Sequence, residues 1–455
     1  MAEPSTATRP PHVVRGPSAA YSAHVAARAV TTARALQETG FDRLLIHSGT
    51  PFTYFADDND APFHSTPAFA HWAPVEGPHH ILDVAPGRRP RLVRVQLRDF
   101  WYAPPAPAPD FVRAEFDVVE VATPAAAWKE IGAPGPHAAF VGAAAEEALE
   151  HGIAPAGLNP KALVARLDWE RTYKSDWEVD ALLGATAKAA PAHRAAEAAF
   201  RAGAPEIEIH HAYLAALGDM EEALPYTTIV GLDHHAATLH YHGKSGREAT
   251  KARVFLIDAG ATARGYASDI TRTYVAPGAD PVFVRLLDGM KTLQARLCRA
   301  SRPGRSYIDL HLETHRGVGA LLAETGVLRI PAEEAFEKGL TYPFLPHGLG
   351  HFLGIQVHDV AGRQVDREGT IAPPPARHPA LRTTRVIEER MVFTIEPGLY
   401  FIPMLLEPFR AGAHRAAFDW ALVDRLIPSG GIRIEDNVFV GTDANRNLTR
   451  EFLPD

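Results

Sequence analysis

Residues 254–275, VFLIDAGATARGYASDITRTYV, contain two apolar runs on either side of a glycine-containing turn. This pattern predicts a hairpin or two adjacent strands. Each run carries one aspartate, Asp258 or Asp269, among apolar neighbours. Burial of a free carboxylate is costly without a compensating cation, so two carboxylates on adjacent strands favour a divalent metal site. The alternative is that one aspartate caps a turn and the other faces solvent.

A histidine cluster follows in residues 346–362, PHGLGHFLGIQVHDVAG, which contain His347, His351 and His358. Imidazole is a common metal ligand, and glycine permits close approach of the backbone. A single buried histidine is usually a hydrogen-bonded structural residue, but three within twelve residues favour a functional site. The residues alone do not decide between His347 and His351 as a ligand.

Two glutamates occupy positions where a strand core should be apolar. Glu396 ends the apolar run of MVFTIEPGLYF (391–401), and Glu435 lies inside GGIRIEDNVFV (430–440). Four carboxylates and one imidazole form an oxygen-rich set that suits two divalent ions such as Mn2+. A structural zinc site would prefer cysteine thiolates, and the chain has one cysteine, Cys298.

Taken in order, these segments resemble the metallopeptidase family with the pita-bread fold, which includes methionine aminopeptidase, aminopeptidase P and prolidase. A narrower resemblance is to bacterial Xaa-Pro dipeptidases, including members described as organophosphorus acid anhydrolases. It rests on 55–69 (FADDNDAPFHSTPAF), 91–101 (RLVRVQLRDFW), 378–385 (HPALRTTR), 428–437 (PSGGIRIEDN) and the terminal LTREF. The resemblance implies an α+β protein, with an N-terminal creatinase-like α/β domain and a C-terminal pita-bread domain.

The resemblance also implies a ligand set for two divalent ions. Asp258 would bind one ion, His351 and Glu396 the other, and Asp269 and Glu435 would bridge both. A bridging hydroxide would then attack the carbonyl before proline in a Xaa-Pro dipeptide. Glu396 is the candidate general base, and His358 and His240 are candidates for hydrogen bonds to the oxyanion or the leaving group.

The bond before proline lacks an N–H, so the pocket must recognise the ring and its carboxylate. Arg433 is the candidate for that carboxylate, on the same strand face as Glu435. Alternatively, Arg433 neutralises the carboxylate cluster. By resemblance, the remaining substrate-binding candidates are His347, Tyr226, Tyr307, Leu381 and, from the partner subunit of a homodimer, Asp58.

Two other activities share these motifs. The first is that of aminopeptidase P, which acts on longer Xaa-Pro peptides and has the same five ligands. The second is peptide binding by a pita-bread domain that has no catalytic activity. The complete ligand set argues against the second alternative. A side activity on organophosphorus esters would follow from attack of the same hydroxide on phosphorus.

The remaining sequence sets the domain organisation. We expect a flexible tail at 1–20, an α/β domain at 21–170 and the catalytic domain at 171–455, with one long helix across 168–203. Helices are also expected at 21–39, 145–151 and after 206, and strands near 41–47, 79–84, 91–97, 117–121 and 227–233.

Composition narrows the class of protein. The 455 residues are 46% hydrophobic and 22% charged, which is typical of a globular protein of two domains. The net charge of −8 and the absence of a basic block disfavour a nucleic-acid partner. No apolar run is long enough for a membrane span, and a lone cysteine fits a reducing compartment, so we expect a cytoplasmic protein.

Overall fold

A computed structural model describes residues 17–98, 100–101, 105–246 and 252–454. The predicted tail therefore lies largely outside the described residues. The first helix begins at Pro17, within the last four residues of that predicted tail. Among the described residues, no helix combines the length and apolar character needed to cross a membrane.

The N-terminal part is an α/β unit, as the alternation of elements predicts. Its five strands form one mixed sheet in the order β4-β3-β2-β1-β5, with β1–β5 and β3–β4 parallel and the other pairs antiparallel. The strands are β1 (Arg43–His47), β2 (Ile81–Val84), β3 (Arg91–Val95), β4 (Asp117–Val121) and β5 (Ala138–Val141). The helices are α1 (Pro17–Thr39), α2 (Pro67–Ala70), α3 (Asp110–Arg113), α4 (Pro124–Ile131), α5 (Ala145–Glu150) and α6 (Lys161–Arg171).

The C-terminal part combines long helices with short antiparallel strands, which confirms the α+β class. The helices are α7 (Asp176–Arg201), α8 (Glu206–Leu217), α9 (Pro281–Ala300), α10 (Tyr307–Glu324), α11 (Ala332–Glu337), α12 (Pro403–Ala411) and α13 (Trp420–Leu426). The strands are β6 (Ile229–Leu232), β7 (Val254–Asp258), β8 (Thr262–Ala263), β9 (Tyr266–Ala267), β10 (Thr271–Val275), β11 (Val392–Ile395), β12 (Gly398–Tyr400), β13 (Gly431–Arg433), β14 (Asp436–Phe439) and β15 (Arg446–Asn447).

Three antiparallel pairings determine where the site forms. The segment 254–275 folds as expected, with β7 paired to β10 and Asp258 opposite Thr271. Strand β11 pairs with β14, and β12 pairs with β13. The largest apolar core packs α9 and α10 against β11, and it includes the fully buried side chains of Leu286, Leu310 and Phe393.

Two local predictions are wrong. The predicted long helix across 168–203 is two helices, α6 and α7, separated at 172–175. The break occurs because Ser175 begins a new helix: its hydroxyl accepts from the Glu178 N–H, and the Glu178 carboxylate accepts from the Ser175 N–H. The predicted strand around Glu435 is likewise interrupted, since β13 ends at Arg433 and β14 begins at Asp436.

Candidate metal centre

A cavity of about 550 Å3 opens where the short strands of the C-terminal part meet. The five predicted metal ligands all line it, as do five of the other predicted site residues. These are Asp258, Asp269, His351, Glu396 and Glu435, together with Tyr226, His240, His347, His358 and Arg433. Residues separated by more than two hundred positions in sequence therefore converge in one place.

The two aspartates lie close together on β7 and just before β10. The Tyr226 hydroxyl lies within hydrogen-bond distance of both, 2.8 Å from an Asp258 oxygen and 2.6 Å from an Asp269 oxygen, and its one proton can be donated to either. Neither aspartate therefore turns away into solvent, and Asp269 is only 5% exposed. The structure places both in the cavity, which disfavours the alternative of a turn cap and a solvent-facing side chain.

The backbone of the histidine run follows β11 closely and thereby positions His351 and Glu396. The Glu396 N–H donates to the Leu349 carbonyl, and the Thr394 N–H donates to the His351 carbonyl. Gly350 permits this approach, because a Cβ there would lie 2.2 Å from the Thr394 carbonyl oxygen. The Nε2 atom of His351 is then 3.3 Å from Asp269 and 3.6 Å from Glu396.

Glu435 reaches the same cluster from the break between β13 and β14. Its carboxylate accepts from the Thr271 hydroxyl at 2.6 Å, and its N–H donates to the Thr271 carbonyl. Asp269, His351 and Glu435 have ligand atoms that all lie within 4.8 Å of one another, a spacing suited to a common ion.

Among the described residues, the basic groups within ion-pair distance of the carboxylate cluster are fewer than its four carboxylates. Four carboxylates converge, with Asp269 and Glu435 buried and Asp258 and Glu396 partly buried. The basic groups within ion-pair distance of them are Arg433, His351 and, at 4.0 Å from Glu396, His347. Burial raises the pKa of Glu396 to about 7, with Asp269 adding to the rise and His351 opposing it. Burial and the neighbouring carboxylates also raise the pKa of Glu435 well above its usual value.

The pKa values of Asp269 and His351, which contact each other directly, shift toward the charged form of each group. Burial alone would raise the pKa of Asp269, but hydrogen bonding and charge from His351 outweigh burial and lower it. The pKa of His351 is raised by Asp269 and Glu396 against the opposing effect of burial. An oxygen-rich donor set with one imidazole, in which two carboxylates have raised pKa values, fits divalent cations.

The remaining histidines lie around the carboxylates. The ring of His358 packs edge-on against that of His351 with centroids 4.4 Å apart, and burial lowers the pKa of His358 to about 4. His347 contacts the Tyr400 hydroxyl through Nε2 at 3.0 Å and its own chain at the Gly348 carbonyl through Nδ1 at 2.7 Å. Of these three histidines, His351 is the one whose ring nitrogen lies within ion-pair distance of two carboxylates, so the geometry supports it as the ligand.

The Arg433 guanidinium donates hydrogen bonds to three groups. It donates to Asp258 at 2.6 Å, to the Tyr400 hydroxyl at 2.7 Å and to the Thr271 hydroxyl at 3.2 Å. This arrangement supports the interpretation in which Arg433 neutralises the carboxylate cluster. Recognition of a substrate carboxylate by Arg433 stays a prediction.

Three predicted substrate-binding residues do not line the cavity. Tyr307 is fully buried, with its hydroxyl on the Thr394 carbonyl at 2.8 Å, where it supports β11 from behind. Leu381 is fully buried between the lining residues Ala380 and Arg382. Asp58 is exposed in the loop after β1, and its proposed reach into a partner subunit is a separate prediction.

Several residues that shape the site were not singled out from the sequence. Tyr400 connects Arg433 to His347, and it lies in MVFTIEPGLYF (391–401), four residues after Glu396. Thr271 follows Asp269 at the strand period of two, which could have placed it on the same face. Lys174 holds Asp359, the neighbour of His358, and no local pattern indicates that contact.

Comparison with known proteins identifies the family. Residues 180–442 match the model of metallopeptidase family M24, and residues 19–169 match the model of the Xaa-Pro dipeptidase N-terminal domain. The chain belongs to metallopeptidase family M24. The family resemblance inferred from the ordered motifs is thus confirmed, and the protein is a metal-dependent peptidase.

Curated relatives match the M24 chain over nearly its whole length. The Xaa-Pro dipeptidase of Pseudoalteromonas atlantica is 41% identical over 95% of this chain and 98% of its own. The Xaa-Pro dipeptidase of Xanthomonas campestris is 42% identical over 95% and 97%, respectively.

Solved structures confirm the fold of this M24 member. Aminopeptidase P from E. coli, solved with the inhibitor Pro-Leu, superposes with a TM-score of 0.72 at 23% identity, covering 95% of this chain and 96% of that one. Proline aminopeptidase P II from Yersinia pestis gives a TM-score of 0.70 at 24% identity, covering 95% and 97%. These matches support the predicted pita-bread fold and, at this identity, carry no information on substrate.

Proposed function

We propose that this protein hydrolyses the peptide bond before proline in dipeptides, with a centre of two divalent ions, Mn2+. The metal centre is inferred because five predicted ligands converge in one cavity, namely Asp258, Asp269, His351, Glu396 and Glu435. The substrate class is inferred from the similarity to Xaa-Pro dipeptidases, at about 41% identity over 95% of the chain. The fold alone would fit aminopeptidase P equally well.

When bound, the two ions would activate a water molecule and polarise the scissile carbonyl. Asp258 would hold one ion and His351 with Glu396 the other, while Asp269 and Glu435 would bridge them. These assignments agree with the contacts of His351 to Asp269 and Glu396.

Protons would move through Glu396. Its carboxylate faces the cavity and lies beside the Thr394 hydroxyl at 3.2 Å, so it can accept a proton from water and return it to the proline nitrogen as that group leaves. His358 is neutral near pH 7, because burial lowers its pKa to about 4, and it can donate a hydrogen bond without adding charge. His240 also lines the cavity and is the second candidate donor.

The test of substrate class compares turnover of a Xaa-Pro dipeptide with turnover of a Xaa-Pro-Xaa tripeptide by the manganese-loaded protein. We expect kcat/KM to favour the dipeptide. Preference for the tripeptide would refute the dipeptidase and support aminopeptidase activity. The same preparation can be assayed on a phosphotriester, where slower hydrolysis would match the side activity inferred from resemblance.

The test of the metal centre uses Asp269→Asn, which replaces a bridging carboxylate with a group of the same shape. We expect loss of bound manganese after dialysis and loss of peptidase activity. Asp288→Asn, on the exposed face of α9, is the matched control and should keep both properties. Unchanged activity in Asp269→Asn would refute the metal mechanism.

The predicted homodimer is tested separately by sedimentation at several protein concentrations. We expect Asp58→Ala to lower kcat/KM without changing bound metal if the loop after β1 reaches a partner's cavity. An active monomer unaffected by Asp58→Ala would exclude that contribution.

A further inference from the structure

A second cluster of ligand-type side chains lies outside the carboxylate centre. His311 and His315 are one turn apart on α10, so they project from the same helix face. His378, from the segment after α11, meets them there, and all three are buried, with exposures of 1%, 1% and 7%. One ring nitrogen of each lies within 4.8 Å of the other two.

The hydrogen bonds among these rings leave their ligand capacity incompletely used. Nε2 of His311 and Nδ1 of His378 are 2.8 Å apart and are joined by one hydrogen bond. Nδ1 of His311 has no hydrogen-bond partner among the described residues. A buried polar atom of this kind calls for an explanation, and an ion in the cluster is one of the recognised explanations.

The chemical state of the rings suits a metal ion. Burial lowers the pKa of His311 to about 2 and that of His315 to about 3, so both are neutral, which is the form that binds metal. Nδ1 of His315 contacts the Thr341 hydroxyl at 2.9 Å, and the Tyr342 ring stacks on His378 at 5.0 Å. Such outer contacts orient the imidazoles of known metal sites.

The spacing is close to that of a three-histidine site. Zinc–nitrogen bonds of about 2.0–2.1 Å in a tetrahedral arrangement place the ligand nitrogens about 3.3 Å apart. The ligand nitrogens, one from each ring, all lie within 4.8 Å of one another, so an ion would draw them together by up to about 1.5 Å.

We propose that His311, His315 and His378 form a second metal site, which binds one borderline transition-metal ion such as zinc through three imidazoles. The three neutral nitrogen donors distinguish it from the oxygen-rich carboxylate centre. His378 lies two residues before Ala380, which lines the catalytic cavity. An ion at this site would thus fasten one wall of the cavity to α10.

The first test measures bound zinc after equilibrium dialysis of the metal-free full-length protein. We expect His311→Gln and His315→Gln to bind one zinc per chain fewer than the wild type, whatever the number held by the carboxylates. His137→Gln, at an exposed position just before β5 and outside the cluster, is the matched control and should bind as much zinc as the wild type. Equal zinc content in the wild type and both histidine variants would overturn the proposal.

A second test avoids variants that fail to fold. Crystals of the wild-type protein soaked in zinc should give an anomalous peak, measured at the zinc absorption edge, between the three rings. Absence of that peak while the carboxylate centre is occupied would overturn the proposal. Because this readout concerns a different place in the molecule, failure of the proposed peptidase activity would leave it unaffected.

Discussion

Replacement of Lys174 by methionine should destabilise the protein far more than a typical loss of an ion pair. Lys174 is 1% exposed and donates to Asp359 at 2.8 Å, while Arg171 donates to the same carboxylate at 2.6 Å. Burial would raise the pKa of Asp359, but Lys174 and Arg171 outweigh burial and lower it, so the group is ionised at neutral pH. Lys174→Met leaves a buried carboxylate with one cation instead of two.

The magnitude follows from what remains around Asp359. Removal of one partner from a buried ion pair costs about 3–5 kcal/mol. Arg171 and the Val360 N–H still bond Asp359 in the variant, which places the expected loss near the lower end, about 3 kcal/mol. In Lys188→Met the lost pair with Asp219 is more exposed, 35% and 20% at the two side chains, so that control should lose less than about 1 kcal/mol.

Urea unfolding of both variants and the wild type measures the difference. Tryptophan fluorescence and far-UV circular dichroism should give coincident transitions before a free energy is assigned, since the chain has two parts that can unfold separately. A double-mutant cycle with Asp359→Asn then isolates the pair. The reasoning is refuted if Lys174→Met costs no more than Lys188→Met, or costs the same in the Asp359→Asn background.

Three further predictions concern backbone packing, pH and metal. Gly350→Ala should abolish activity and lower the melting temperature, because its Cβ would lie 2.2 Å from the Thr394 carbonyl oxygen. The control is Gly184→Ala inside α7, where the added Cβ would lie 3.4 Å from its nearest atom, so this variant should be stabilised by up to about 1 kcal/mol. Burial lowers the pKa of His193 to about 3, so the wild-type free energy of unfolding should fall as pH drops below about 6.5. In urea unfolding between pH 6 and 4.5, the free energy of unfolding of His193→Gln should depend less steeply on pH than that of the wild type, by about 1.4 kcal/mol per pH unit. Equal slopes would contradict this prediction. Manganese at a hundred times its Kd should stabilise the wild type by about 2.7 kcal/mol for each bound ion in the same assay, and should leave Asp269→Asn unchanged.

The sequence predicted the strands, and the side chains that line the cavity, better than it predicted the contacts between distant segments. Asp258 and Asp269 were recognisable because a carboxylate within an apolar run breaks the expected pattern. The break at 172–175 was missed because the composition on both sides favours helix, and a capping box is decided by Ser175 and Glu178 alone. The interruption before Glu435 was missed for a similar reason, since apolar alternation continues through it.

Contacts between distant segments were beyond local patterns. Tyr307 has the residue type of a pocket wall, but the packing of α10 against β11 turns its hydroxyl to the Thr394 carbonyl. Lys174 and Asp359 are 185 residues apart, and nothing near either position marks them as partners. Such pairs depend on tertiary packing, which overrides local preference.

Strand register gives the carboxylate centre its geometry, and the charge of the centre in turn weakens the metal-free fold. Asp258 lies opposite Thr271 in the pairing of β7 and β10, and the Thr271 hydroxyl bonds Glu435, so a one-residue slip would turn these groups to the opposite face. Correct pairing therefore places the carboxylates together inside the cavity, where burial and the neighbouring carboxylates raise the pKa of Glu435 and Glu396. Cations that bind only the paired strands relieve this repulsion, so the ions that would supply the chemistry should also stabilise the register that creates their site.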